Sequence, residues 1–191
     1  LNTWNTANVS NMNYMFKSAT AFNKPLNSSV NGWNTTKVTT MQYMFHDATA
    51  FNQSLNTWNT AKVSNMHGMF DSTTAFNGEV NNWNVSSVTN MSYMFNNATS
   101  FNKSLNSWKV SSVTNMLGMF KSASKFNQNI DSWDVSSVTN MQGMFDQAIQ
   151  FNGNIGNWDV SSVTDMGAMF RAWPSTGVFN QDIGGWDVSS V

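Results

Sequence analysis

Residues 83–107 read W-N-V-S-S-V-T-N-M-S-Y-M-F-N-N-A-T-S-F-N-K-S-L-N-S, and two periods are present in them. Met91, Met94, Phe95 and Ala98 stand at i, i+3, i+4 and i+7, the spacing of one helical stripe. Thr89, just ahead of them, is placed to cap the first turn. Earlier in the unit, Trp83 and Val85 alternate with Asn82, Asn84 and Ser86, the period of a short strand with one covered face. Phe101 and Leu105 then lead the chain to the next Trp, Trp108. The pattern predicts strand, turn, short helix and return segment.

The unit recurs along the whole chain. Trp stands at positions 4, 33, 58, 83, 108, 133, 158 and 186, and five of the seven gaps are 25 residues. A helix this short is marginal alone, since isolated helices under ~12–15 residues barely form in water. A three-residue strand is no better, so the units must stack. Parallel strands ~4.8 Å apart would line one side and helices the other, with right-handed crossovers. The expected fold is therefore a right-handed α/β solenoid of 25-residue coils, with residues 1–191 forming a single array of about seven and a half coils. A parallel β-helix without true helices is the alternative.

The composition fits such a stack. All 14 Met lie in Met-x-x-Met-Phe segments, and the 14 Phe follow such a pair or open the return segment. The recurrence in every coil marks them as core, with Met as adaptable filler between similar coils. Phe is followed by Asn at Asn23, Asn52, Asn77, Asn102, Asn127, Asn152 and Asn180, a ladder suited to bonding turn backbone in its own coil or the next. Only 10% of residues are charged, so the polar surface is mostly Asn, Ser and Thr. There is no Cys, hence no disulfide framework. Charge is unevenly spread: through Lys125 eight Lys oppose Asp47, Asp71 and Glu79, a net +5, while from Gln128 onward Arg171 opposes seven Asp, a net −6. That split would favour head-to-tail self-association between copies. With no polar cap at either end, the segment is expected to be part of a longer array, any export signal or anchor lying outside it.

At this point the repeat resembles a known family. Phe179–Val191, F-N-Q-D-I-G-G-W-D-V-S-S-V, and Trp133–Phe145, matching W-D-V-S-S-V-T-N-M-x-x-M-F, are similar to the BspA-like leucine-rich repeat surface proteins, whose 25-residue unit was first noted in mycoplasma lipoprotein-associated proteins. The resemblance covers essentially the whole chain. It implies a leucine-rich-repeat-like solenoid, an extracellular or cell-surface location and a role in adhesion or binding, with no catalytic residues to carry over. Ile130-x-x-Trp133-x-Val135 would replace the leucine-rich strand motif. The departures are two insertions, near residues 25–31 and 171–178. Insertions bulge as loops, and Trp173, the one Trp outside the ladder, is either an exposed aromatic anchor or local core over the last coil.

No catalytic constellation stands out, and we expect no enzyme, cofactor or metal site. His46 and His67 occupy different registers and read as surface residues. Lysines do not cluster as nucleic-acid binding would require, and no apolar run is long enough to span a bilayer. Tyr14, Tyr43 and Tyr93 share one register with Gly68, Gly118 and Gly143, on the outward side of the expected helix, as sticky points or surface scatter. Asp134, Asp159 and Asp187 form a row of like charges, mildly unfavourable if strands pair there. The candidate ligand-binding residues are Asn34, Asn59, Asn84, Lys109, Asp134 and Asp159 on the strand row, together with Trp173. Such a row suits a repetitive polar ligand, a glycan or an extended extracellular polypeptide, held by many small contacts. A structural spacer is the second reading, and an ice-binding face the third.

Overall fold

The computed structural model describes residues 4–27 and 33–191. Successive repeats stack in parallel register: Asn11, Thr40, Asn65, Asn90, Asn115, Asn140 and Asp165 form a chain of single parallel bridges. The register is one unit throughout. No helix and no extended strand is present among the described residues. The α/β solenoid expectation is therefore wrong in both its elements. The β-helix alternative fails as well, because the parallel pairings are isolated bridges rather than strands.

The predicted helix is instead a ribbon of turns. In coil 41–48 every second amide closes a short turn, Met44 to Met41, His46 to Tyr43 and Ala48 to Phe45. The intervening amides leave the coil: Met41 donates to Asn65, Tyr43 to His67, Phe45 to Met69 and Asp47 to Asp71. Left-handed backbone at Tyr43 (φ 52°) and Asp47 (φ 57°) turns these amides outward. A left-handed non-glycine residue costs roughly 1–2 kcal/mol. The inter-coil bonds offset that cost in six coils, since Tyr14/Ser18, Gly68/Ser72, Tyr93/Asn97, Gly118/Ser122 and Gly143/Gln147 repeat the conformation and donate to the next coil. Met41, Met44, Phe45 and Ala48 are nevertheless fully buried. The apolar spacing was real, and a turn ribbon buries the same four positions as a helix. Thr89 is not a helix cap either; its amide and hydroxyl both donate to the Ser64 carbonyl of the preceding coil.

The predicted strand is absent because turns flank it. Around Trp58, turns at 56–57 and 61–62 leave three residues between them, too few for a ladder. The Trp58 amide closes one turn on Leu55 and the Val63 amide the other on Thr60. Burial still alternates, with Trp83 and Val85 inside and Asn84 outside. Side chains make the inter-coil bonds here. The Trp58, Trp83, Trp108 and Trp133 indoles donate to the carbonyls of Leu26, Leu55, Val80 and Leu105, one coil back, at 2.6–3.1 Å. Thr35 and Thr60 hydroxyls donate forward to the Asn59 and Asn84 carbonyls at 2.9 Å.

Three aromatic columns fill the interior. From Trp33 to Trp186 successive indoles stack with centroids 6.0–6.4 Å apart. The Phe column of the Met-x-x-Met-Phe segments runs through Phe45, Phe70, Phe95, Phe120 and Phe145, at 5.5–5.7 Å per step. The return-segment Phe column runs beside it, and the two touch within each coil, as at Phe70–Phe76, 3.9 Å apart. The Asn ladder closes the corner beyond: the side-chain oxygens of Asn23, Asn52, Asn77, Asn102, Asn127 and Asn152 each accept the amide of the equivalent Asn in the next coil, at 2.8–3.0 Å.

Of the first insertion, residues 28–31 lie outside the described residues; Leu26 is buried. The second insertion leaves the stack after Phe170 and rejoins it at Phe179, which packs on Phe170 and Phe151. Trp173 does not fold over the last coil. It is 81% exposed, and its carbonyl accepts the side-chain amide of Gln147.

Candidate functional site

Two surfaces carry polar side chains in register. The first is the row expected from sequence. Asn59, Asn84, Lys109, Asp134 and Asp159 are exposed, and Asn34 is half-buried. Because each Asn or Asp precedes a turn, its side chain folds back on it. The Asn34 oxygen accepts the Thr36 amide and hydroxyl, and that of Asn59 the Ala61 amide. Asn84 bonds Ser86 in the same manner, Asp134 bonds Ser136, and Asp159 bonds Ser161. These are Asx turns, a structural task that occupies one oxygen and leaves the second polar atom of each side chain for solvent or ligand. The hydroxyl and amide of Ser161 hold the Asp159 carboxyl below the usual range, and Ser189 does the same for Asp187. Two open hollows lie along this face, each about 450 Å³: one brings Asn34 and Asn59 together, the other Asn84 and Lys109.

The second surface was not assembled by sequence reasoning. The residue after each Met-x-x-Met-Phe segment forms a column of charge: Lys17, His46, Asp71, Asn96, Lys121, Asp146 and Arg171. The stack brings them side by side. Asn96 donates to Asp71 at 2.7 Å, and His46 sits 3.1 Å from Asp47 and 3.3 Å from Asp71. Arg171 grips Asp146 through two bonds, Nε at 2.9 Å and Nη2 at 2.6 Å, while Lys121 Nζ lies 3.3 Å away. The Asp146 side chain is 2% exposed. Burial works to raise its pKa, but the Arg171 and Lys121 bonds and charges outweigh this and hold the carboxyl below its ordinary range.

Next to that column runs a strip of rings. Tyr14 stacks on Tyr43 at 5.5 Å, and Lys17 lies over both. Tyr43 Oη is 2.6 Å from His67 Nε2, and the other His67 nitrogen bonds Ser92. His67 in turn meets Tyr93 edge-on at 6.0 Å. Burial first, then the Asp71 charge, raises the Tyr43 pKa. The histidines are thus partly buried and engaged, a correction to their reading as surface residues. The Tyr register is likewise left-handed backbone rather than the outer face of a helix. The available signal was the residue that follows each Phe, visible once the coils are aligned in threes.

The architecture defines an array of 25-residue units locked to one another by backbone bridges, Asn ladders and aromatic columns. The chain belongs to the family described as Mycoplasma protein of unknown function, DUF285, whose model matches residues 1–78, 26–131 and 102–191. No curated protein and no solved structure matches it.

Proposed function

We propose that the chain is a non-catalytic, cell-surface binding or adhesion module that engages a repetitive polar ligand, a glycan or an extended polypeptide, along the Asn34–Asp159 row. The observation that carries this reading is the hollow joining Asn84 to Lys109 across consecutive coils. The Asx turns hold each side chain at one register while leaving an outward polar atom. Many weak contacts at a fixed repeat add up through effective concentration. The similarity of Trp133–Phe145 to BspA-like surface proteins supports the extracellular location.

The test is binding to arrayed glycans and matrix proteins, compared between wild type, Asn84→Asp and Lys109→Ala. Asn84→Asp keeps the turn acceptor and removes the outward amide donor. Loss of binding with unchanged melting is expected. Full binding by both variants would reject the row as the contact surface. The charge split between the two halves favours a second reading, head-to-tail self-association. Light scattering that grows with concentration and collapses with added salt would establish that reading.

A further inference from the structure

The ring strip Tyr14–Tyr43–His67–Tyr93 stops at Tyr93, and the space beyond it is open. A Cβ at Gly118 would lie 2.6 Å from the Tyr93 ring, so that ring covers Gly118 much as Tyr43 covers Gly68. One coil further, a Cβ at Gly143 would meet only the Asp146 Cβ, at 3.6 Å. The result is a groove of about 370 Å³, with Gly118 and Gly143 in its lining, Tyr93 as an end wall and Lys121, Asp146 and Arg171 along it. Small-molecule sites span about 300–1,000 Å³. Asp146 is spent on its two cations, while the remaining side-chain N–H groups of Lys121 and Arg171 have no protein acceptor among the described residues.

We propose that this groove binds an acidic saccharide, with a pyranose ring in the vacant place next to Tyr93 and its carboxylate on Lys121 and Arg171. The lining selects this chemistry. A sugar ring has an apolar face for the Tyr93 π-surface and hydroxyls for Gln142 and the charged groups. An aromatic side chain in the same place would desolvate Lys121 and Arg171 without supplying acceptors. A neutral sugar would leave uncompensated the one net positive charge of two cations on a single carboxylate. The site is separate from the Asn84–Lys109 row and stands whether or not that row binds anything.

The test is titration of the whole chain with a glucuronate-containing tetrasaccharide, followed by calorimetry and amide chemical shifts. A neutral tetrasaccharide and an acidic Tyr-containing tetrapeptide serve as comparison probes. The glucuronate probe is expected to bind, with shifts at Gly118, Gly143 and Gln142. Lys121→Gln and Tyr93→Ala should each weaken it about tenfold or more, a difference of ~1.4 kcal/mol. Gly143→Tyr places a ring where other coils already carry Tyr14, Tyr43 and Tyr93 at the same left-handed register. It should abolish binding while the variant still folds cooperatively, with a melting temperature no lower than that of Gly143→Ala, which meets the same left-handed strain. No binding by wild type, equal binding of the neutral probe, tighter binding of the peptide, or indifference to Gly143→Tyr in a folded variant would each overturn the proposal.

Discussion

The side-chain oxygen of Asn102 accepts the backbone amide of Asn127, 25 residues on, at 3.0 Å, while its own amide donates to Asn77 at the same distance. Each Asn is thus donor through its backbone and acceptor through its side chain. Asn102→Ala removes an acceptor from the next coil and should cost about 1 kcal/mol in urea unfolding, the net worth of one hydrogen bond. Asn102→Asp keeps the acceptor and should lose much less. Equal losses would mean the ladder contributes nothing through that bond.

Two glycines at one register should respond differently to the same change. Gly118 and Gly143 both have φ near 58°. Gly143→Ala meets only left-handed strain, roughly 1–2 kcal/mol. Gly118→Ala must also displace the Tyr93 ring, so it should lower the melting temperature further. Adding Tyr93→Ala should remove the difference, which a double-mutant cycle measures.

Trp108→Phe retains a ring in the column but deletes the indole N–H that donates to the buried Val80 carbonyl at 3.1 Å. The Val80 carbonyl keeps its bond from the Trp83 amide at 3.1 Å, so the loss should be the net worth of one hydrogen bond, about 1 kcal/mol, beyond any packing loss. Equilibrium denaturation against wild type checks this. A change within a few tenths would show that the indole bond contributes nothing net.

The Lys121–Asp146–Arg171 cluster should be pH-sensitive on the acid side. The folded-state pKa of Asp146 is depressed, so its stabilisation is complete above the unfolded carboxylate value, ~3.9, and is lost as pH falls through the lower folded value. The stability gap between wild type and Asp146→Asn should therefore be constant from about pH 7 to 5 and close below about pH 4. Urea midpoints across that range measure it; a gap that persists at the acid limit would contradict the assignment.

Peroxide should attack the methionines in an order set by burial. The ten from Met41 to Met144 are fully buried, whereas Met15 and Met166 are partly exposed. Met15 and Met166 should become sulfoxides first, followed by loss of cooperative unfolding once the inner column is reached. Peptide mass spectrometry over a time course resolves the order. Early oxidation of Met91 or Met94 would mean the stack opens readily.

Much of the site was only half legible. The row from Asn34 to Asp159 could be read as one register, but not its use as a set of Asx turns, because that depends on where the next amide points. His67 looked isolated since its partner Tyr43 lies 24 positions away, and the second carboxylate beside His46, after the adjacent Asp47, is Asp71, 25 positions away. The Lys121–Asp146–Arg171 cluster was hidden for the same reason: no local window contains all three.

By itself the sequence determined the period, the residues that face inward and the Asn and aromatic columns, because burial follows side-chain chemistry and a strict repeat places like on like. The spacing of Met91, Met94, Phe95 and Ala98 was equally determined, yet it does not distinguish a helix from a ribbon of turns that buries the same four positions. The stacking of neighbouring coils settles which of the two forms. An amide such as that of Tyr43 has two possible acceptors, a carbonyl of its own coil or His67 of the next. That choice is nonlocal: once a neighbouring coil is in place its carbonyls are available at every second residue, and the left-handed turns that reach them become the stable backbone.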